Sequence, residues 1–258
     1  MRCTFPLALT FLTVLPWRGV GQVGPKDLAR SMFWFPWVGL LLGLGVWGAL
    51  LGLQSLFPPA AAAALLLALT VLATRGLHLD GLADTVDGLG GSDSSEKSLA
   101  IMKDPRLGAF GAVSLFLALI LKFAFFLAWA EKGLGSGLIL FPVLSRWGMV
   151  FLACLSPYAR TEGGLGQAMT TGVSGRVVLG ASLSALVLAL LIAGLGGLVL
   201  LAATAGAVWL LSIYFQKRLG GITGDVLGAA NEVLEIVVLG GLLLFLPSGP
   251  ALSFLQFF

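Results

Sequence analysis

Between Val177 and Phe215 the chain stays apolar for longer than one membrane helix can use. A helix needs about 20 such residues to cross the hydrocarbon core of a bilayer. Gly194-Leu195-Gly196-Gly197, near the middle of the run, offers a turn between two helices. In lipid each helix satisfies its own backbone polar groups, which restricts the chain to a helical bundle. Composition agrees: 58% of residues are hydrophobic, 10% are charged and the mean hydropathy is +1.02, against about 25% charged in soluble domains. Further spans read as Ser31–Phe57, Ala60–Leu77, Gly108–Ala130, Leu134–Ser156 and Val226–Pro247, with Val177–Ala193 and Leu195–Tyr214 as the two halves of the long run. The expectation is an all-α polytopic membrane protein, residues 1–258 forming a single integral membrane domain with a bundle of about seven transmembrane helices.

Charge distribution orients that bundle. With the N-terminus in the cytoplasm, Arg2, Arg18, Lys26, Arg30, Arg75, Lys97, Lys103, Arg106, Arg160, Arg176, Lys217 and Arg218 all fall on the cytoplasmic side, while Lys132 lies opposite and Lys122 and Arg146 lie within spans. This is a positive-inside pattern, and it places the long loop 78–107 on the cytoplasmic side of a cytoplasmic (inner) membrane. The net charge of +3 follows from this loop asymmetry and implies no nucleic-acid partner. Thr4–Trp17 is apolar, but it is too short to span and contains Pro6 and Pro16. It also lacks a small-residue cleavage site before Arg18, so it reads as an additional N-terminal interfacial or re-entrant helix. Cys3 and Cys154 stand far apart and imply neither a disulfide framework nor a Cys-rich metal site.

Against this background the stretch His78-Leu79-Asp80-Gly81-Leu82-Ala83-Asp84-Thr85-Val86-Asp87-Gly88 is unusual. On a helix, Asp84 lies about 40° and Asp87 about 20° from Asp80, so the three carboxylates share one face. Such a cluster repels itself unless a divalent cation sits among the oxygens, and Mg²⁺ takes a few carboxylates together with substrate phosphates. A solvated helix with its acids facing water is the plainer alternative; Gly81, Ala83 and Gly88 beside the acids favour close approach of a ligand.

The same loop ends in Met102-Lys103-Asp104-Pro105-Arg106-Leu107-Gly108-Ala109-Phe110-Gly111. Lys103 and Arg106 suit phosphate oxygens, with glycine amides at the start of the next helix; contact with lipid headgroups is the alternative. A second acidic segment, residues 220–235, opens the last span, with Asp225 and Glu232 on nearly one face and Glu235 about 60° further round. Ionised groups that deep require a polar cavity or a cation. Lys122 is read as snorkelling or neutralising an acid in the bundle, and Arg146 as facing a cavity where it meets substrate phosphate. His78 is a candidate base or phosphate contact, weighed against a structural role at a helix boundary.

Taken together, His78–Gly88, Ile101–Gly111 and Gly220–Glu235, with Phe11-Leu12-Thr13-x-Leu15-Pro16 and Phe35-Pro36-x-x-Gly39, resemble the cobalamin-5′-phosphate synthase family, also called adenosylcobinamide-GDP ribazoletransferase. The resemblance covers essentially the whole chain in order. It implies an integral membrane enzyme that joins adenosylcobinamide-GDP to α-ribazole or its 5′-phosphate with Mg²⁺, releasing GMP late in corrinoid assembly. Carried over by position, the acid motif is Asp80, Asp84 and Asp87; the Lys-Asp-x-Arg motif is Lys103, Asp104 and Arg106; the Gly-Gly-x-Thr-Gly-Asp motif is Gly220 to Asp225.

Displacement of GMP from a diphosphate by a ribose hydroxyl calls for a metal at the bridging oxygens, cations on the developing charge and a carboxylate or base near the nucleophile. Asp80, Asp84, Asp87 and Asp225 are therefore expected to hold Mg²⁺. Asp84, Asp225, Glu232 and His78 are expected to serve catalysis, and Lys103, Arg106 and Arg146 to contact phosphate. Whether one or two metals bind is left open, as is assembly into homo-oligomers. Two other readings are weighed. The CDP-alcohol phosphotransferase pattern fails at Ala83 and Asp84 and keeps only a mechanistic parallel. An ion-coupled transporter would use Glu232, Glu235, Lys122 and Arg146 as a relay, but the acids gather at one membrane face and no inverted repeat is evident.

Overall fold

The computed structural model describes residues 4–17, 23–132, 135–160 and 165–245, and these are α-helical with no strand. In chain order the helices are α1 (Thr4–Leu12), α2 (Pro25–Ser31), α3 (Phe35–Leu56), α4 (Pro59–Ala73), α5 (Leu77–Gly91), α6 (Ser95–Ile101), α7 (Ala109–Lys132), α8 (Leu140–Leu155), α9 (Leu165–Thr171), α10 (Gly175–Leu219) and α11 (Gly224–Phe245). Five of them are long and apolar enough to cross a membrane, and the bent pair α4–α5 adds a sixth if its two helices are taken as one broken span. One of the five is the 45-residue α10, and it is not a single rod. Gly194 leaves helical geometry at φ 54°, ψ −136°, and a Cβ on Gly197 would sit 2.7 Å from the carbonyl carbon of Ala189. A straight helix would hold residues eight apart about 12 Å from each other, so the chain reverses at Gly194 and α10 is a hairpin. Counting its halves separately gives six crossings, or the expected seven with the α4–α5 pair included. Arg2 and Arg18 and the expected span limits Leu134 and Pro247 lie outside the described residues.

α8 is the hub. It is buried almost throughout from Leu140 to Ala153, and α3, α10 and α11 pack around it. Gly39 and Gly43 of α3 meet it backbone to backbone: a Cβ at Gly39 would lie 2.7 Å from the Pro142 carbonyl carbon, and one at Gly43 2.8 Å from Ile139 Cα. Small residues matter here because lipid supplies no hydrophobic drive between helices, so close backbone contact carries the association.

α1 is too short to cross, as expected of an interfacial segment, and it is tied down at its end. Val14 N donates to Ala73 O at 2.8 Å, and the Arg75 guanidinium donates to the Thr10 and Thr13 carbonyls, each at 2.9 Å. Arg75 itself has φ 55°, and Gly76 follows at φ 66°. A left-handed arginine is costly and persists only where contacts impose it; its two bonds to α1 do so. The result is an 85° bend between α4 and α5. The expected second span thus breaks at Ala73 rather than running to Leu77, and the acidic segment becomes a helix of its own packed against α11 and α7.

Candidate active site

The bend sets α5 against the first turns of α11. Gly81 is where they touch: a Cβ there would lie 2.7 Å from the Asp225 carbonyl oxygen. Gly228 faces it, with Gly81 Cα and His78 Cα each 3.4 Å from where its own Cβ would be. The absence of side chains at this crossing brings Asp80 and Asp84 of α5 towards Asp225 of α11. Asp84 registers that crowding. Its carboxyl is pushed up from 3.8 to about 6, first by partial burial, then by the negative charges of Asp80, Asp225 and Asp87, with Arg160 pulling the other way.

Asp225 is held by a clasp that the residue pattern did not reveal. Gly220 ends α10 at φ 77°, and the following Ile222 pairs with the chain after α8: Ile222 N donates to Pro157 O and Ala159 N donates to Ile222 O, both at 2.9 Å. This carries Arg160 to the start of α11, where its Nη2 donates to Asp225 Oδ2 at 2.8 Å. Thr223 Oγ1 donates to the same oxygen at 3.3 Å. Arg160 was read only as a topology marker, and nothing in its neighbours announces a partner 65 positions away.

Other expected residues are placed differently. Asp87 is buried, and its carboxylate accepts from Gly108 N at 2.8 Å and Gly111 N at 2.7 Å. It caps the start of α7, where free amides and the helix dipole favour an anion. Each of its oxygens is engaged by one amide of that cap, a role that its expected place among the metal ligands did not include. Glu232, expected to complete the acid site, instead pairs with Lys122. Arg146, expected on substrate phosphate, pairs with Glu235 and donates to Ser145 Oγ. Lys122 also pairs with Glu235. These four side chains are at most 5% exposed and form a closed, neutral set inside the bundle, because unpaired charges there would be prohibitively costly. Arg146 does line a cavity, as the sequence led us to expect. His78 is 2% exposed, and neither ring nitrogen has a hydrogen-bond partner.

A cleft of about 790 Å³ opens beside α5, lined by Asp80, Ala83, Asp84, Arg75, Pro105 and Leu107 among others. Lys103 and Arg106 are exposed on the turn that carries Pro105. Arg106 is held to Asp104 at 2.6 Å, and the hydrogen bonds from Arg106 bring the Asp104 carboxyl down to about 2. Among the described residues no three His, Cys, Asp or Glu side chains are grouped to hold a metal ion unaided. The donors nonetheless suit Mg²⁺, which binds hard oxygens and is usually held by one or two carboxylates plus substrate phosphates rather than by an all-protein cage. The mutual repulsion around Asp84 is what such a cation would relieve.

Comparison with known proteins agrees with this arrangement. The model of the family described as cobalamin-5-phosphate synthase matches residues 4–243. A protein of Pseudomonas fluorescens named adenosylcobinamide-GDP ribazoletransferase is 45% identical over 248 residues, covering 93% of this chain and 99% of its own. Similar proteins of the same name occur in Syntrophobacter fumaroxidans, 43% identical over 91% of this chain and 96% of its own, and in Pseudomonas entomophila, 45% identical over 93% and 98%. No solved structure matches the chain. A family match spanning nearly every described residue, with relatives aligned end to end, leaves one conclusion: the chain belongs to the cobalamin-5-phosphate synthase family.

Proposed function

We propose that this chain joins adenosylcobinamide-GDP to α-ribazole or its 5′-phosphate, depends on Mg²⁺ and releases GMP. It would work within the lipid bilayer of the cytoplasmic membrane, with its acid site on the cytoplasmic side. The observation that carries the reading is the glycine-lined crossing of α5 and α11, which brings Asp225 close to Asp84 while Asp80 and Asp84 line the cleft. In the reaction a ribose hydroxyl oxygen bonds to the phosphorus nearer the cobinamide. The bond from that phosphorus to the bridging oxygen breaks, and GMP leaves with the electron pair. Mg²⁺ held by Asp80, Asp84 and Asp225 would neutralise the charge that gathers on the diphosphate.

The chain's own residues supply the rest. Arg160 and Thr223 fix the Asp225 carboxylate through its Oδ2. An Asp84 oxygen not on the metal would take the hydroxyl proton. Lys103 and Arg106 stand on the exposed turn at the cleft rim, where long cationic side chains can reach a phosphate. The transporter reading loses its relay: Lys122, Arg146, Glu232 and Glu235 neutralise one another in a closed set. The test is GMP release by the purified protein from adenosylcobinamide-GDP and α-ribazole, with Mg²⁺ and with chelator. Release that requires both substrates and the metal supports the reading, and no release under any of these conditions overturns it.

A further inference from the structure

A second cavity, of about 340 Å³, lies deeper than the acid-lined cleft and shares two wall residues with it, Thr74 and Leu79. Its walls are aliphatic, including Leu41, Val46 and Leu69, and its floor is the set formed by Lys122, Arg146, Glu232 and Glu235. Two cations and two anions cancel there, so the floor offers no net attraction to a phosphate and penalises any unpaired charge brought in. Arg146 Nε is buried and has no hydrogen-bond partner, although Nη1 of the same guanidinium is engaged. A buried donor left unsatisfied is costly and calls for an acceptor. The cavity therefore suits a neutral, largely apolar group that carries an acceptor. Its volume sits at the lower end of the ~300–1,000 Å³ of small-molecule sites, which is room for a nucleoside and far too little for a corrinoid.

We propose that this cavity binds the aromatic base of the nucleoside substrate, with the pyridine-type nitrogen of the benzimidazole ring accepting from the Arg146 side chain. This deepens the function proposed above and rests on it. α-Ribazole has the required form: a dimethylated benzimidazole on a ribose. With the base in the inner cavity, the ribose passes Thr74 and Leu79 into the cleft where Asp80 and Asp84 stand, so its hydroxyl arrives at the acid site. An acyl chain would fit the aliphatic walls but would leave Arg146 Nε unsatisfied.

The test uses two glycines on one helix. Gly45 lines the cavity, Gly48 does not, and a Cβ at either position meets nothing within 4 Å. Gly45→Phe and Gly48→Phe should therefore both fold, and only the first fills the cavity. Purified full-length protein in detergent, assayed for GMP release, should show a KM for α-ribazole at least tenfold higher in Gly45→Phe, an unchanged KM for adenosylcobinamide-GDP, and parent-like values in Gly48→Phe. Free 5,6-dimethylbenzimidazole should compete with α-ribazole in the parent, and 5,6-dimethylindole, which lacks the acceptor nitrogen, about tenfold less well. An unchanged α-ribazole KM in Gly45→Phe overturns the proposal, and so does an effect confined to the KM for adenosylcobinamide-GDP, or equal effects in both variants. A parent that releases no GMP is the distinct failure of the underlying function.

Discussion

At Asp84, function and stability pull in opposite directions. The carboxyl is raised from 3.8 to about 6 in the fold, so between those values the folded protein binds more protons than the unfolded chain. Without metal, stability therefore falls as pH rises through that window. Asp84→Asn should lower turnover by about 100-fold or more while raising the melting temperature of the metal-free protein above pH 6, a combination read from GMP assays and thermal unfolding with chelator. A variant that is inactive and also less stable would refute the crowding argument. The same carboxylate is a metal-site candidate, so apparent Mg²⁺ affinity should weaken as pH drops below about 6. Asp225 offers a matching case: Arg160→Met frees the carboxylate that Arg160 holds, and displacement of this kind should cost roughly 10- to 100-fold in turnover with little change in melting. Residue chemistry was partly legible in the chain. The helical spacing of Asp80 and Asp84 pointed to a shared face, but Asp87 fell to the α7 amides and Arg160 to Asp225. Both partnerships span long sequence separations that no local spacing encodes.

The elements explain why two acidic segments more than 130 positions apart act together. α5 and α11 touch through Gly81 and Gly228, so the site depends on how closely two backbones approach. Gly81→Ala improves helix propensity by about 1 kcal/mol, yet its Cβ would press on the Asp225 carbonyl at 2.7 Å. Turnover should drop by about 100-fold, and the protein should remain in the membrane. The double variant Asp84→Asn/Asp225→Asn should be hardly slower than the worse single one, because either loss dismantles the same arrangement; independent multiplication of the two losses in the GMP assay would separate the segments. Apolar runs located the crossing helices within a few residues. They missed the end of α4: the expected span runs to Leu77, while the helix stops at Ala73, before Thr74-Arg75-Gly76. The left-handed pair Arg75-Gly76, held by α1, decides that boundary. The α10 turn was legible because the glycines at 194, 196 and 197 let one helix fold against its other half.

For the whole molecule, sidedness is the testable quantity. Reporters placed after Ser92 should read cytoplasmic, whereas those after Lys132 and after Gly194 should read external. A cytoplasmic signal after Gly194 would contradict the hairpin. Within the bundle, Lys122→Met leaves Glu232 without its cation and should cost about 3–5 kcal/mol, visible as lost protein or a lowered melting point; adding Glu232→Gln should recover part of that loss. The closed charge set has a further consequence, for biogenesis. α7 and α8 leave the ribosome carrying Lys122 and Arg146, and the two glutamates that neutralise them arrive only with α11, the last helix described. Until then each cation at membrane depth costs about 2.5–3.5 kcal/mol. The charge set is thus incomplete until α11 inserts, and a polypeptide interrupted before Gly224 would hold two unneutralised cations at membrane depth.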